Sequence, residues 1–129
     1  MKPAVIFVVD DDAAVAHALK FALELEGFAV DTFGDAESVL RLGAFPSAGC
    51  LVVDYNLPAR NGMELIGSLR ERDIALPAIL ITTNPTRYLR RRAERSSVSI
   101  VEKPLLSDAL VSKIRALVSC PGQPEIGRA

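Results

Sequence analysis

One hundred and twenty-nine residues make one ordinary domain and leave no room for two with separate cores. Half of the residues are hydrophobic, which excludes global disorder, and a formal charge of -1 excludes a bulk field that draws the chain to nucleic acid or an anionic membrane. With no Trp, two Tyr and five Phe, an interleaved aromatic surface for stacking single-stranded bases is excluded too.

Taken in chain order, short apolar runs alternate with helical patterns. Ile6–Val9 is an unbroken apolar run that stops at Asp10, Asp11 and Asp12; even counted from Ala4 it is too short for a signal-peptide core or a membrane span. Ala13–Glu26 follows as a helix, with Val15, Leu19, Ala22 and Leu25 at helical spacing and Gly27 at the position after its end. Asp12 reads as its cap and His17, beside Lys20 and Glu24, as surface. Phe28–Phe33 is a second strand, and Asp35 caps a short helix reaching Leu42. Leu51–Val53 is the third strand. Gly62–Arg72 is amphipathic through Leu65, Ile66 and Leu69. Ala78–Ile81 is the fourth strand, and a basic helix runs from about Pro85 to Arg95, with Tyr88, Leu89 and Ala93 expected toward the core. Ile100–Val101 is the fifth strand, and Ser107 caps a last helix carrying Leu110, Ile114 and Leu117 on one face.

Strands apolar throughout, not alternating, predict a sheet covered on both faces and therefore parallel. The fold class is α/β: a doubly wound five-stranded parallel sheet with helices on both faces. The domain is read as residues 1–119, with 120–129 as a C-terminal tail or the start of a linker, since two Pro and two Gly fall within 121–129. Cys50 and Cys120 lack metal-type spacing and are read as free thiols, Cys50 as a buried small side chain, in a cytoplasmic protein. Charge is uneven. Residues 1–64 carry four Lys/Arg against ten Asp/Glu, and residues 65–129 carry eleven against six, with five arginines between Arg87 and Arg95.

In such a sheet ligands bind beyond the carboxyl ends of the strands. Those ends carry Asp10 and Asp11, Asp54, Thr82 and Thr83, and Glu102 and Lys103. Two like charges about 4 Å apart repel by roughly 4 kcal/mol at an effective dielectric near 20, so the carboxylates call for cations. Lys103 supplies one positive charge. Hard carboxylate oxygens suit Mg²⁺ or Mn²⁺, whose open positions accept phosphate oxygens. The set reads as a phosphoryl site with a carboxylate able to act as nucleophile.

These residues, Asp10-Asp11, Asp54-Tyr55-Asn56-Leu57-Pro58, Asn61-Gly62, Thr82 and Lys103-Pro104, closely resemble the receiver domain of two-component response regulators, over residues 4 to about 118. The resemblance implies a phosphoacceptor module of a phosphorelay. Asp54 takes the phosphoryl group from a histidine kinase or phosphotransfer protein. Asp11 ligates Mg²⁺ directly, Asp10 does so through water, and the backbone carbonyl of Asn56 is a further ligand. Lys103 binds phosphoryl oxygens, Pro104 follows a cis peptide bond, and Thr82 turns its hydroxyl toward the new group. Asn56 and Asn84 flank the site. Such a module is not an enzyme beyond slow self-dephosphorylation, and it contacts neither nucleic acid nor membrane.

The chain also departs from the family pattern. Ile100 stands where Phe or Tyr usually lies three residues before the lysine. Thr83 replaces the usual Ala or Gly, and Thr82 to Lys103 is one residue shorter than usual. Ile100 and the run containing Arg87, Arg91 and Arg95 are therefore the expected switch and partner residues, the arginines facing either solvent or an acidic protein. Two other functions compete. A phosphorylation-independent scaffold is favoured by Ile100 and disfavoured by the complete acidic set with Lys103. A Mg²⁺-dependent aspartyl phosphohydrolase of similar fold places its nucleophile in a D-x-D motif after the first strand and usually adds a cap domain; this chain has Asp10-Asp11-Asp12 with no following Thr and no room for a cap.

Overall fold

A computed structural model describes residues 4–46, 48–103 and 108–119. Five parallel strands, β1 (Val5–Val9), β2 (Ala29–Phe33), β3 (Gly49–Asp54), β4 (Ala78–Thr82) and β5 (Val98–Glu102), lie in the order β2-β1-β3-β4-β5. The helices are α1 (Ala13–Leu25), α2 (Ala36–Leu40), α3 (Gly62–Glu71), α4 (Arg87–Arg95) and α5 (Asp108–Ser119). The predicted class is the observed one. The expected cap Ser107 and the peptide bond before Pro104 lie outside the described residues, as does the tail.

Side chains alternate across each strand, so a strand apolar at every position feeds two cores. Ile6, Val8, Val52, Ile79 and Ile81 pack with Ala16 and Leu23 of α1 and Leu110 and Ile114 of α5. Phe7, Val9, Leu51, Val53 and Leu80 pack instead with α2, α3 and α4. The helices start where short polar side chains accept orphan N–H groups. Asp12 accepts from Ala14 and Val15, Asp35 from Ser38, and Thr86 from Leu89, while Asn61 and Glu64 form a reciprocal capping box.

Two expected faces are corrected. On α1 the buried stripe is Ala16 and Leu23 with Leu19 half-buried, while Ala22 and Leu25 point to solvent; α1 has two apolar stripes, and the sheet covers the one centred on Ala16 and Leu23. On α4, Leu89 and Ala93 are buried as expected, but Tyr88 is 70% exposed. It lies about 100° round the helix from Leu89, where the Arg92 guanidinium sits 5.9 Å from its ring centre.

Candidate functional site

The register of the sheet sets the site. Val9 pairs with Val53, and Asp54 with Ile81, so Asp10 and Asp54 leave neighbouring strands at the same level. Thr82 pairs with Glu102, and the Lys103 N–H donates to the Thr82 carbonyl at 2.8 Å. Carboxylate oxygens of Asp10, Asp11 and Asp54 all lie within 4.8 Å of one another. Asp10 and Asp54 are buried, and Asp11 is exposed. The Lys103 ammonium sits 3.3 Å from Asp54 Oδ1 and 3.4 Å from Oδ2.

Backbone donors fix the carboxylates. The Asp12 N–H donates to Asp10 Oδ1 at 2.9 Å, and the Asn56 N–H to Asp54 Oδ1 at 3.2 Å. Burial holds the Asp10 carboxyl above its usual range; the Asp12 N–H pulls it back, while the neighbouring Asp54 charge pushes it further up. Three carboxylates of which two are buried, with one ammonium between four strand ends, form an oxygen-rich site with unneutralised negative charge. That donor set fits a hard divalent cation and not a soft one.

Gly62 explains how β3 and α3 come together at this site. A Cβ there would lie 2.5 Å from the Asp54 carbonyl and 2.9 Å from both Leu80 and Val53 side chains. The Gly62 N–H reaches the Tyr55 carbonyl at 2.8 Å. Glycine is thus the residue that lets α3 start directly against the backbone of the central acid.

The structure brings Asp10, Asp11, Asp54 and Lys103 together. It places Thr82 beside them, buried, with its hydroxyl directed to the Thr83 carbonyl at 3.5 Å and not to Asp54. Asn56 and Asn84 are exposed on the rim, Asn84 in a left-handed conformation at φ 47°. Ile100 is half-buried in β5, opposite Leu80, inside the α2–α4 core. Arg87, Arg91 and Arg95 stand apart from the acids, exposed along α4. His17 lines a small cavity of about 130 Å³ beside Asp10 and Asp11. Cys50 is fully buried, and burial pushes its thiol up to about 12.

Sequence reasoning counted Arg90 within the arginine run but missed its contact with Glu102 at 2.8 Å, which links α4 to the residue before Lys103. It also missed Arg60, which reaches Glu37 at 3.2 Å and Ser68 at 3.3 Å. Neither carries a local signal, because both partners are distant in sequence.

The chain resembles known proteins over most of its length. It is 32% identical over 114 residues to the transcriptional regulatory protein FixJ of Bradyrhizobium diazoefficiens, covering 88% of this chain and 56% of FixJ. It is 36% identical over 111 residues to the C4-dicarboxylate transport transcriptional regulatory protein DctD of Pseudomonas aeruginosa, covering 85% of this chain and 24% of DctD. The chain therefore spans about half the length of the first relative and about a quarter of the second. Among solved structures, the crystal structure of FixJ-N superposes with a TM-score of 0.81 at 28% identity, over 93% of this chain and 97% of that one. The CheY-like receiver domain protein of Methanospirillum hungatei JF-1 gives a TM-score of 0.84 at 22% identity, over 94% and 98%, a likeness of fold. Five parallel strands in the order 2-1-3-4-5 gather the acids and the lysine at one edge, and the response regulator receiver domain pattern matches residues 6–115: the chain belongs to the response regulator receiver domain family.

Proposed function

We propose that this domain, residues 1–119, is a phosphoacceptor that takes a phosphoryl group from a partner's phosphohistidine onto Asp54. One observation carries the reading: a buried carboxylate at the end of β3 has an ammonium on both its oxygens and two further carboxylates within 4.8 Å. An Asp54 oxygen forms the new P–O bond while the donor's P–N bond breaks and its electron pair stays on the histidine. The Asn56 N–H orients Asp54 for that attack, and Lys103 balances negative charge on the transferred group. Asp10, Asp11, Asp54 and the Asn56 carbonyl would hold Mg²⁺, or Mn²⁺, which supplies charge neutralisation at the phosphoryl oxygens. Thr82 turns its hydroxyl from the Thr83 carbonyl to the acquired group.

The partners in this reading are a histidine kinase or phosphotransfer protein and, at the Arg87–Arg95 helix, an acidic protein; the setting is cytoplasmic. No helix among the described residues is long and apolar enough to cross a membrane. A phosphorylation-independent scaffold is the second reading, favoured by Ile100, whose branched side chain is stiff at χ1 and cannot repeat an aromatic ring's swing. Intact-mass measurement after incubation with Mg²⁺ and a small-molecule phosphodonor separates the two. The wild type gains one phosphoryl group and Asp54→Ala none. Undiminished labelling of Asp54→Ala, or no labelling of wild type, overturns the assignment.

A further inference from the structure

We propose that the outward face of α1 is a contact between two copies of this chain, packed helix against helix in antiparallel orientation. The contact uses no side chain of the acidic site.

Two sides of α1 are apolar. Ala16 and Leu23 are buried against the sheet. Away from them, Ala14, Ala18, Phe21, Ala22 and Leu25 are all exposed, Phe21 at 67% and Leu25 at 72%. Among the described residues only Tyr88 is a comparably exposed large apolar side chain, so two of the three fall on this one stripe. A contiguous apolar patch in water marks an interaction surface.

Spacing sets the geometry of the contact. Residues 14, 18, 21 and 25 lie four, three and four apart, the seam period of two helices running along each other at a shallow angle. Side-chain size sets the direction. The seam is small in its N-terminal half and large in its C-terminal half. Parallel copies in register would crowd Phe21 against Phe21 and leave a void between the alanines. A two-fold axis midway between residues 18 and 21 turns one copy end for end. Ala14 then meets Leu25 of the second copy, and Ala18 meets its Phe21. Symmetry repeats both pairs, so every large side chain faces a small one.

The rim agrees with that pairing. His17 and Glu24 lie on one flank of the seam, and like flanks meet across an antiparallel pair. His17 falls about 3 Å along the axis from Glu24 of the second copy, at 1.5 Å of rise per residue. Lys20 holds Glu24 Oε2 at 2.9 Å, which leaves Oε1 to accept an imidazole N–H. The other flank sets Val15 near Ala22 and buries no charge. At the ends, Asp12 approaches Glu26 of the second copy, whose charge Arg115 offsets. A helix of another protein would need the same seam with its size order reversed, and the chain's own helix already has it. The seam offers roughly 400 Å² per copy, about 800 Å² in all, below the roughly 1,200 Å² of a stable complex, so the dimer is weak and concentration-dependent.

The test is analytical sedimentation of the full chain from low micromolar to millimolar concentration, with circular dichroism melts confirming that each variant is folded. The average mass of wild type should rise from 13.9 kDa toward twice that value. Phe21→Glu and Leu25→Lys each replace an exposed side chain and should weaken association at least about tenfold, as a blocked central contact does. Ala18→Phe sets two rings against each other and should weaken it too. Adding Phe21→Ala to Ala18→Phe exchanges large for small within the layer and should restore association to within about threefold of wild type. That recovery requires residue 18 to meet residue 21 of the other copy, which a merely adhesive face does not. Wild type that stays at 13.9 kDa up to millimolar concentration overturns the proposal and leaves the face to a different protein. Association untouched by Phe21→Glu also overturns it, by placing the contact elsewhere on the chain. A double variant as weak as Ala18→Phe alone overturns the antiparallel pairing.

Discussion

Asp10→Asn should change stability in opposite directions with and without Mg²⁺, and the size follows from the site. Oxygens of Asp10 and Asp54 lie within 4.8 Å, which at an effective dielectric near 20 is a repulsion of about 3.5 kcal/mol. The Lys103 contact to Asp54 at 3.3 Å is worth about 5 kcal/mol of attraction on the same scale, so one ammonium offsets one carboxylate pair and leaves Asp10 uncompensated. Asparagine removes the repulsion and the desolvation of a charge, keeps an oxygen for the Asp12 N–H, and gives up a weaker attraction to Lys103. The metal-free variant should gain about 1–2 kcal/mol, seen as several degrees in a thermal melt. Wild type should gain about 2.7 kcal/mol at a hundredfold excess of Mg²⁺ over its dissociation constant, and the variant much less, so the curves cross.

The pH dependence has a definite sign. Burial raises the Asp10 carboxyl in the folded state above its unfolded value, so the folded protein prefers it protonated. Stability from this group is full below the ordinary carboxylate range and is lost as pH climbs through the folded value. Asparagine cannot ionise, so the metal-free advantage is largest at neutral pH and disappears toward acid. A variant less stable than wild type in chelator at neutral pH, or an advantage constant with pH, would refute the reasoning.

Three further substitutions probe the backbone around the site. Gly62→Ala drives a Cβ into the Asp54 carbonyl and should cost about 1–3 kcal/mol in urea unfolding and slow phosphoryl uptake on Asp54. Gly67→Ala has free space and ordinary helical backbone, so it should stabilise by about 0.5–1 kcal/mol in the same measurement. Ala59 holds φ 71°, a left-handed conformation costly for a residue with a Cβ. Ala59→Gly relieves that strain but loosens the unfolded chain, and a net gain of about 0.5 kcal/mol is expected, read as a shifted urea midpoint at constant slope.

The three central strands β1, β3 and β4 were legible because each is an apolar run that ends in a polar residue, and their parallel pairing because neither face of them is polar; the edge strands β2 and β5 carry Asp31 and Ser99 within them and were less plain. Strand lengths were less legible. Gly49 belongs to β3, where a side chain would strike the Val5 carbonyl, yet a glycine before an apolar run reads as a turn. The phase of α1 was misread for a different reason: Phe21 and Leu25, 67% and 72% exposed, form a second apolar stripe. Periodicity finds both stripes, and only the sheet beneath decides between them. Asp10, Asp11, Asp54 and Lys103 could be assembled from sequence because parallel strands align their ends. The direction of the Thr82 hydroxyl and the Arg90–Glu102 contact could not, since each depends on where a neighbouring segment lies in space.

How a change at Asp54 reaches α4 without an aromatic relay is then a question of which connection is stiffer. One route is lateral: Lys103 follows Glu102, and Glu102 meets Arg90 at 2.8 Å. Both side chains of that pair are about half exposed, and such pairs contribute between nothing and about 1 kcal/mol, screened further by salt. The other route is the chain itself, Thr82 through Thr86, which runs from a buried strand end to the cap that accepts the Leu89 N–H at 3.0 Å. Asn84 stands at its middle in a left-handed conformation. The positive φ values at Asp73 and Ser97 fall just beyond the caps Arg72 and Ser96, where helices commonly end that way; Asn84, like Ala59, lies at no helix end, and its short polar side chain tolerates the left-handed turn that sets the path of this connection. Leu89, one turn into α4, is anchored in the core, so a backbone change at residues 83–86 must tilt or refold the first turn. The covalent route therefore dominates. Breaking the ion pair with Arg90→Ala should leave the response of α4 to phosphorylation nearly intact, as read by amide exchange across residues 87–95, whereas Asn84→Gly, which frees the backbone of the connection, should weaken it. Loss of the response in Arg90→Ala alone would reverse that ranking.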